Sequence, residues 1–173
     1  MSSSFDLPDV DRFTAGTVGE PGARVFYIQA VAGVKVVTLR LEKAQVAAMA
    51  QYLADLLVDL PTPSPTEIPD EMELVEPVVA EWIVGQIGVV YDGDRDRLLL
   101  RAHEVGELDE EGELVPEPDA GVASFSVTRG QVAGFVVRAA TLVASGRPPC
   151  PICGRPLDPE GHVCIKTNGH QPH

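Results

Sequence analysis

A three-strand-then-helix pattern can be read twice along this chain, and that recurrence limits the fold more than any single residue does. Phe13-Thr-Ala-Gly16-Thr-Val18-Gly19 aligns with Trp82-Ile-Val-Gly85-Gln-Ile87-Gly88. Tyr27-Ile-Gln-Ala30 aligns with Leu99-Leu-Arg-Ala102, and Leu39 through Val46 aligns with Phe125 through Val132. The order is kept and the offset only grows, as insertions in loops would make it. Period-two alternation marks strands: Phe26, Ile28 and Ala30 share a face, as do Val37, Leu39 and Leu41, and later Phe125 and Val127. Three- and four-residue steps then mark two helices. One carries Val46, Met49, Ala50, Leu53, Leu56, Leu57 and Leu60; the other carries Val132, Phe135, Val136, Ala139, Leu142 and Val143.

Local signals set the ends of these elements. Glu20-Pro-Gly22 and Asp92-Gly93-Asp94 read as hairpin turns. Thr128 with Gln131 forms a capping box, and Glu42 with Gln45 stands in the same places before the first helix. Gly146 followed by Pro148 stops the second helix. The expected fold is α+β: duplicated βββα units forming antiparallel sheet, covered by two amphipathic helices, with a small C-terminal zinc-knuckle tail. The expected boundaries are 1–60 for the first repeat, 61–79 for a proline-rich acidic linker, 80–146 for the second repeat and 147–173 for the tail. Within the second repeat, residues 104–119 carry eight acids and no base, and read as a solvated loop.

All three cysteines of the chain fall in the tail, Cys150-Pro-Ile-Cys153-Gly154 and Gly161-His162-Val-Cys164. Three local cysteines make no disulfide framework. The two-residue gap lets two thiolates reach one ion, and zinc takes four such donors with sulfur at about 2.3 Å. Cys150, Cys153 and Cys164 supply three. His162 is the favoured fourth, because residues two apart on an extended strand share a face with Cys164. His170 is the alternative, brought back by the Asn168-Gly169 turn but close to a fraying end; His173 is more distant still. A thioredoxin-like redox pair would want a strand before the motif and a helix after it, whereas prolines flank this one. With four protein donors the zinc has no open position, so its expected role is structural: it folds a segment too small to bury a core.

Other clusters read as structure. Asp92-Gly-Asp94-Arg-Asp96 lacks the glycine and glutamate of a calcium loop, since Arg97 and His103 stand there. His103 and Glu104, adjacent in a strand, point to opposite faces and are not expected to act as an acid–base pair. The paired glycines 16/19 and 85/88 lead into no helix with a lysine, so they read as close packing or a bulge rather than a phosphate loop.

The stretch Glu81-Trp-Ile-Val-Gly-Gln-Ile-Gly88, the stretch Ser126-Val-Thr-Arg-Gly-Gln-Val132 and the cysteine tail together resemble an uncharacterised actinobacterial family of putative repeat proteins, a domain of unknown function. The resemblance implies a bacterial cytosolic protein and carries no catalytic residues. The chain has 26 acidic against 13 basic residues. Such a surface repels nucleic acid and anionic lipid, so both are poor partners. Neither a secretory signal nor a membrane span is legible, and a cytoplasmic location is expected. The leading expectation is a zinc-stabilised, non-enzymatic interaction or adaptor protein with an unknown protein partner. An enzyme or small-ligand binder using a cleft between the repeats is the alternative, and a nucleic-acid binder comes last.

Overall fold

The computed structural model describes residues 2–145 except Pro21, Leu114 and Pro116, together with Pro151 and Ile152. Seven strands and two helices follow in the order β1 (Phe5–Leu7), β2 (Arg12–Val18), β3 (Val25–Ala32), β4 (Lys35–Leu41), α1 (Lys43–Val58), β5 (Val84–Asp92), β6 (Arg97–Glu104), β7 (Val122–Val127) and α2 (Arg129–Ala144). A 3-10 turn at Pro65–Glu67 lies in the connector. The fold is mixed α+β with two sheets, one ordered β2-β3-β4 and the other β1-β7-β6-β5.

β3, β4 and β7 fall where alternation placed them, and β6 shows the same alternation. Leu98, Leu100 and Ala102 of β6 and Ala123, Phe125 and Val127 of β7 are buried, and the residues between them face outward. β1 is new: the alternation argument assigned nothing to residues 5–7, which pair in parallel with residues 123–125 of β7. One sheet is therefore not purely antiparallel.

The hydrogen-bond register also corrects one alignment. Ile28 faces Leu39 and Leu100 faces Phe125, in keeping with the second and third strands as aligned. In the first strands, however, Gly16 faces Tyr27 whereas Val90 faces Leu99. With the later strands aligned that way, the place of Gly16 falls on Val90, five residues after Gly85. The two glycines answer different local demands. A side chain at Gly16 would run into Leu74, and one at Gly85, beside the β5 bulge, would meet the Val105 backbone.

The two sheets are stitched at both ends. Residues 81–83 run beside β4, with Arg40 N–H donating to Trp82 O at 3.1 Å and Glu81 N–H to Thr38 O at 2.8 Å. At the opposite seam Val10 N–H donates to Ser126 O at 3.3 Å. Both helices lie over the interior and pack on each other. One core joins the halves: Phe13 of β2 stacks on Phe135 of α2 with centroids 4.7 Å apart and leans on Phe125 of β7 at 6.0 Å. Fully burying one such ring contributes about 1.5–3 kcal/mol.

The connector is more than a spacer. Residues 72–75 lie across the outer face of the first sheet, where Gln29 is completely buried. The Gln29 amide accepts from Val75 N–H at 2.7 Å and donates to Val75 O at 3.0 Å, taking both backbone groups of one residue as a neighbouring strand would. Thr14 donates to Met72 O at 2.5 Å, and Arg12 and Arg138 reach Glu73. The acidic loop, by contrast, exposes nearly all of residues 107–119 and turns on Asp109, whose carboxylate accepts from the Glu111 and Glu113 amides.

Candidate functional site

Each helix starts beside the first strand of the opposite half, and a glutamine three residues in makes the join. Gln131 Oε1 closes the cap on Thr128 N–H at 2.9 Å while its Nε2 donates to Val10 O at 2.7 Å. Gln45 does the same, accepting from Glu42 N–H at 2.7 Å and donating to Val84 O at 3.0 Å. Sequence reasoning found the caps and missed the joins, because a cap is local and the second amide bond crosses the fold.

Beyond those glutamines the two helices diverge in what they do. Four residues past Gln131, Phe135 stacks on Phe13; seven past it, Arg138 Nε donates to Ala15 O at 3.3 Å. α2 thus closes against β2. Four residues past Gln45 stands Met49, and seven past it Tyr52, which is exposed. They face Ile87 and Val89 of β5 across a cleft of about 670 Å³. A thioether and an aliphatic side chain occupy less width than two stacked rings, so this contact stays open. Its walls are apolar, with Gln45 at one end and the backbone of β5 along one side.

β5 is the edge strand of its sheet. Half of its amide and carbonyl groups point away from β6. Among the described residues, those outward groups meet only the Gln45 amide, at Val84 O and more distantly at Gly85 O.

The remaining polar clusters hold the fold. Asp96, in the left-handed region at φ 53°, receives two bonds from Arg129, at 2.8 and 2.9 Å, and one from Tyr91 at 2.8 Å. The Arg129 guanidinium, then the Tyr91 hydroxyl, hold the Asp96 carboxyl down at about 2. The same carboxylate raises Tyr91. This latch ties the β5–β6 hairpin to the start of α2. The aspartate-rich turn is a hairpin, with Asp92 accepting from the Asp94 and Arg95 amides. Glu104 accepts from Ser2 and from Gly121 N–H, and His103 is exposed, so the two do not act together. Among the described residues no three His, Cys, Asp or Glu side chains gather as metal ligands. Cys150, Cys153, His162, Cys164 and the alternative His170 lie outside the described residues.

Residues 5–164 match a family described as a protein of unknown function, DUF3090. The chain belongs to the DUF3090 family. No curated protein and no solved structure matches it. The DUF3090 match takes in Cys150, Cys153, His162 and Cys164 and ends there, short of His170. No helix among the described residues is long and apolar enough to cross a membrane.

Proposed function

We propose that this DUF3090 protein is a non-enzymatic protein-interaction module, with a duplicated βββα body and a tail folded by one structural zinc. The cleft between α1 and β5 carries the interaction reading. Its walls are apolar, and its free hydrogen-bonding groups belong to a strand edge, which suits a polypeptide better than a compact polar substrate. Duplication is supported by the shared element order, the matching register of the second and third strands, and the paired glutamines. The zinc reading rests on donor chemistry and spacing: Cys150, Cys153 and Cys164 as thiolates with His162 as the fourth ligand. The extent of the family match supports His162 over His170.

Affinity purification from the native cell, with the full chain and with residues 147–173 removed, tests the module. A partner held by the full chain at fixed stoichiometry is expected. Elemental analysis tests the metal: about one zinc per chain is expected, retained in His170→Ala and lost in His162→Ala. A chain without zinc whose Cys150 and Cys153 cycle reversibly to a disulfide would overturn the structural-metal reading.

A second reading has its own support. About 670 Å³ also falls within the range of small-molecule pockets, roughly 300–1,000 Å³, so the same cleft could take an apolar ligand. Native mass spectrometry of the purified chain, run with and without prior organic extraction, separates a retained small molecule from a protein partner.

A further inference from the structure

We propose that the cleft between α1 and β5 receives an extended segment of a partner protein, basic at its flanks, which pairs as an added strand with the β5 edge that no other strand among the described residues covers. The inference rests on the interaction-module reading and names the segment that reading requires.

Geometry sets the form of the occupant. From Gln45 to Tyr52 the helix wall runs about 10 Å, at roughly 1.5 Å per residue. An extended chain covers that in about three residues, at roughly 3.3 Å each. β5 offers Gly85 to Val89 beside it, so outward amides and carbonyls line the whole contact. A helix could not use those groups, because its own backbone is already paired. A strand uses them at every second residue and sends alternate side chains toward Met49 and Ile87.

The fold contains its own precedent. Residues 72–75 already dock as an extended segment on the first sheet, held through both backbone groups of Val75. The α2–β2 contact shows what closure looks like when no guest is needed: Phe135 fills the gap and Arg138 takes an edge carbonyl. At the corresponding places of α1 stand Met49 and Tyr52, and neither group is satisfied in that way.

Charge sets the flanks. Asp55 of α1 and the C-cap Asp59 follow Tyr52, and Asp92, paired with Arg95, ends β5. At the other end Glu42 caps α1, and Glu104 and Glu117 line the recess that continues past Gly85 and Gln86. Opposing charges are present but fewer: Lys43, exposed in the first turn of α1, Arg40 beside Glu42, and Arg101 across from Gly88 on β6. An apolar floor with acidic ends selects an apolar segment with basic ends, and disfavours an acidic one.

The test uses the full chain and a synthetic probe of the sequence Lys-Arg-Thr-Val-Thr-Val-Thr-Arg-Lys. Fluorescence anisotropy measures affinity, and amide NMR shifts locate the contact. Shifts centred on residues 85–89 are expected. N-methylation of the two central valines, which removes edge donors without altering side-chain charge, should weaken binding by about tenfold or more. Replacing the basic ends by Glu and Asp should weaken it comparably at low salt, and the difference should shrink as salt is raised. Ala48→Arg, at an exposed position of the cleft wall, should also cost about tenfold or more, with Trp82 fluorescence reporting that the variant is folded. The proposal fails if the shifts lie elsewhere, if the N-methylated probe binds equally well, or if the acidic probe does. A native partner captured equally by wild type and Ala48→Arg would remove the cleft while leaving the module reading intact. Probe binding at β5 with no native partner captured would do the reverse.

Discussion

Replacing Gln29 by Leu removes the buried clamp that holds the connector to the first sheet. Three hydrogen bonds go with it: from Val75 N–H at 2.7 Å, to Val75 O at 3.0 Å, and to Thr38 Oγ1 at 3.0 Å. Each is worth about 0.5–1.5 kcal/mol net, and each partner left buried without one costs about 1–3 kcal/mol. Water can re-enter at the exposed end of the connector, while Leu adds apolar burial at a site with no exposure. The expected net loss is roughly 2–4 kcal/mol, large for a single substitution. Gln29→Glu sharpens the test. A carboxylate accepts from Val75 N–H but has no proton for Val75 O or Thr38, and burial raises its pKa. Its neutral form binds best, so stability is highest below the unfolded-state value near 4.3 and is lost as pH rises through the raised folded value. Urea denaturation followed by the fluorescence of Trp82, the only tryptophan, gives the stability. Cleavage by a glutamate-specific protease at Glu71 or Glu73 reports local release of the connector. If Gln29→Leu costs less than about 0.5 kcal/mol, within the range of ordinary surface changes, and cleavage is not faster, the clamp reasoning is refuted.

Gly16→Val should cost about 1–3 kcal/mol from overpacking against Leu74, and Leu74→Ala should recover part of it; additive losses in the double variant would show that the contact is not made. Asp96→Asn should lose the acid dependence supplied by the Arg129 latch. In wild type that contribution is present above the unfolded value near 3.9 and lost as pH falls toward about 2, so acid titrations of the two proteins should converge in that window. Replacing residues 107–118 by a short Gly-Ser linker should leave the melting temperature nearly unchanged, since the described residues among them are exposed; a loss above roughly 2 kcal/mol would mean that the loop packs.

Elements whose signals are local were legible in the sequence. Both helices, their caps and strands β3, β4 and β7 follow from periodicity and capping residues that act within a few positions, while β2, β5 and β6 were read from the alignment of the two segments. β1 was not legible, because three residues give too little alternation to read and their pairing partner lies more than a hundred positions away. The connector misled for a related reason. Its prolines and acids describe an extended solvated chain, and extended it is, but only Gln29 in a distant strand makes its backbone a docked one. The first-strand alignment slipped because glycines were matched as equals. Gly16 yields to a neighbouring leucine and Gly85 to a bulge, and neither demand is visible without the register.

The candidate cleft was legible only as a location between the halves; its character depended on a comparison that the sequence holds but does not flag. Counting from the two capping glutamines, Phe135 answers to Met49 and Arg138 to Tyr52. In α2 those residues fill the gap and satisfy an edge carbonyl, so the second helix is bound into the core. In α1 the substitutes are a flexible thioether and an exposed phenol, which leave volume and a free strand edge side by side. Had both pairs been aromatic and basic, the body would close symmetrically and present no groove. Installing the closed solution in the open half is therefore the direct physical check. Met49→Phe together with Tyr52→Arg should draw α1 toward β5, raise stability by filling the cleft, and abolish binding of the basic-flanked probe. Gain of stability with undiminished binding would mean that the probe enters elsewhere, and that the asymmetry between the helices has no part in recognition.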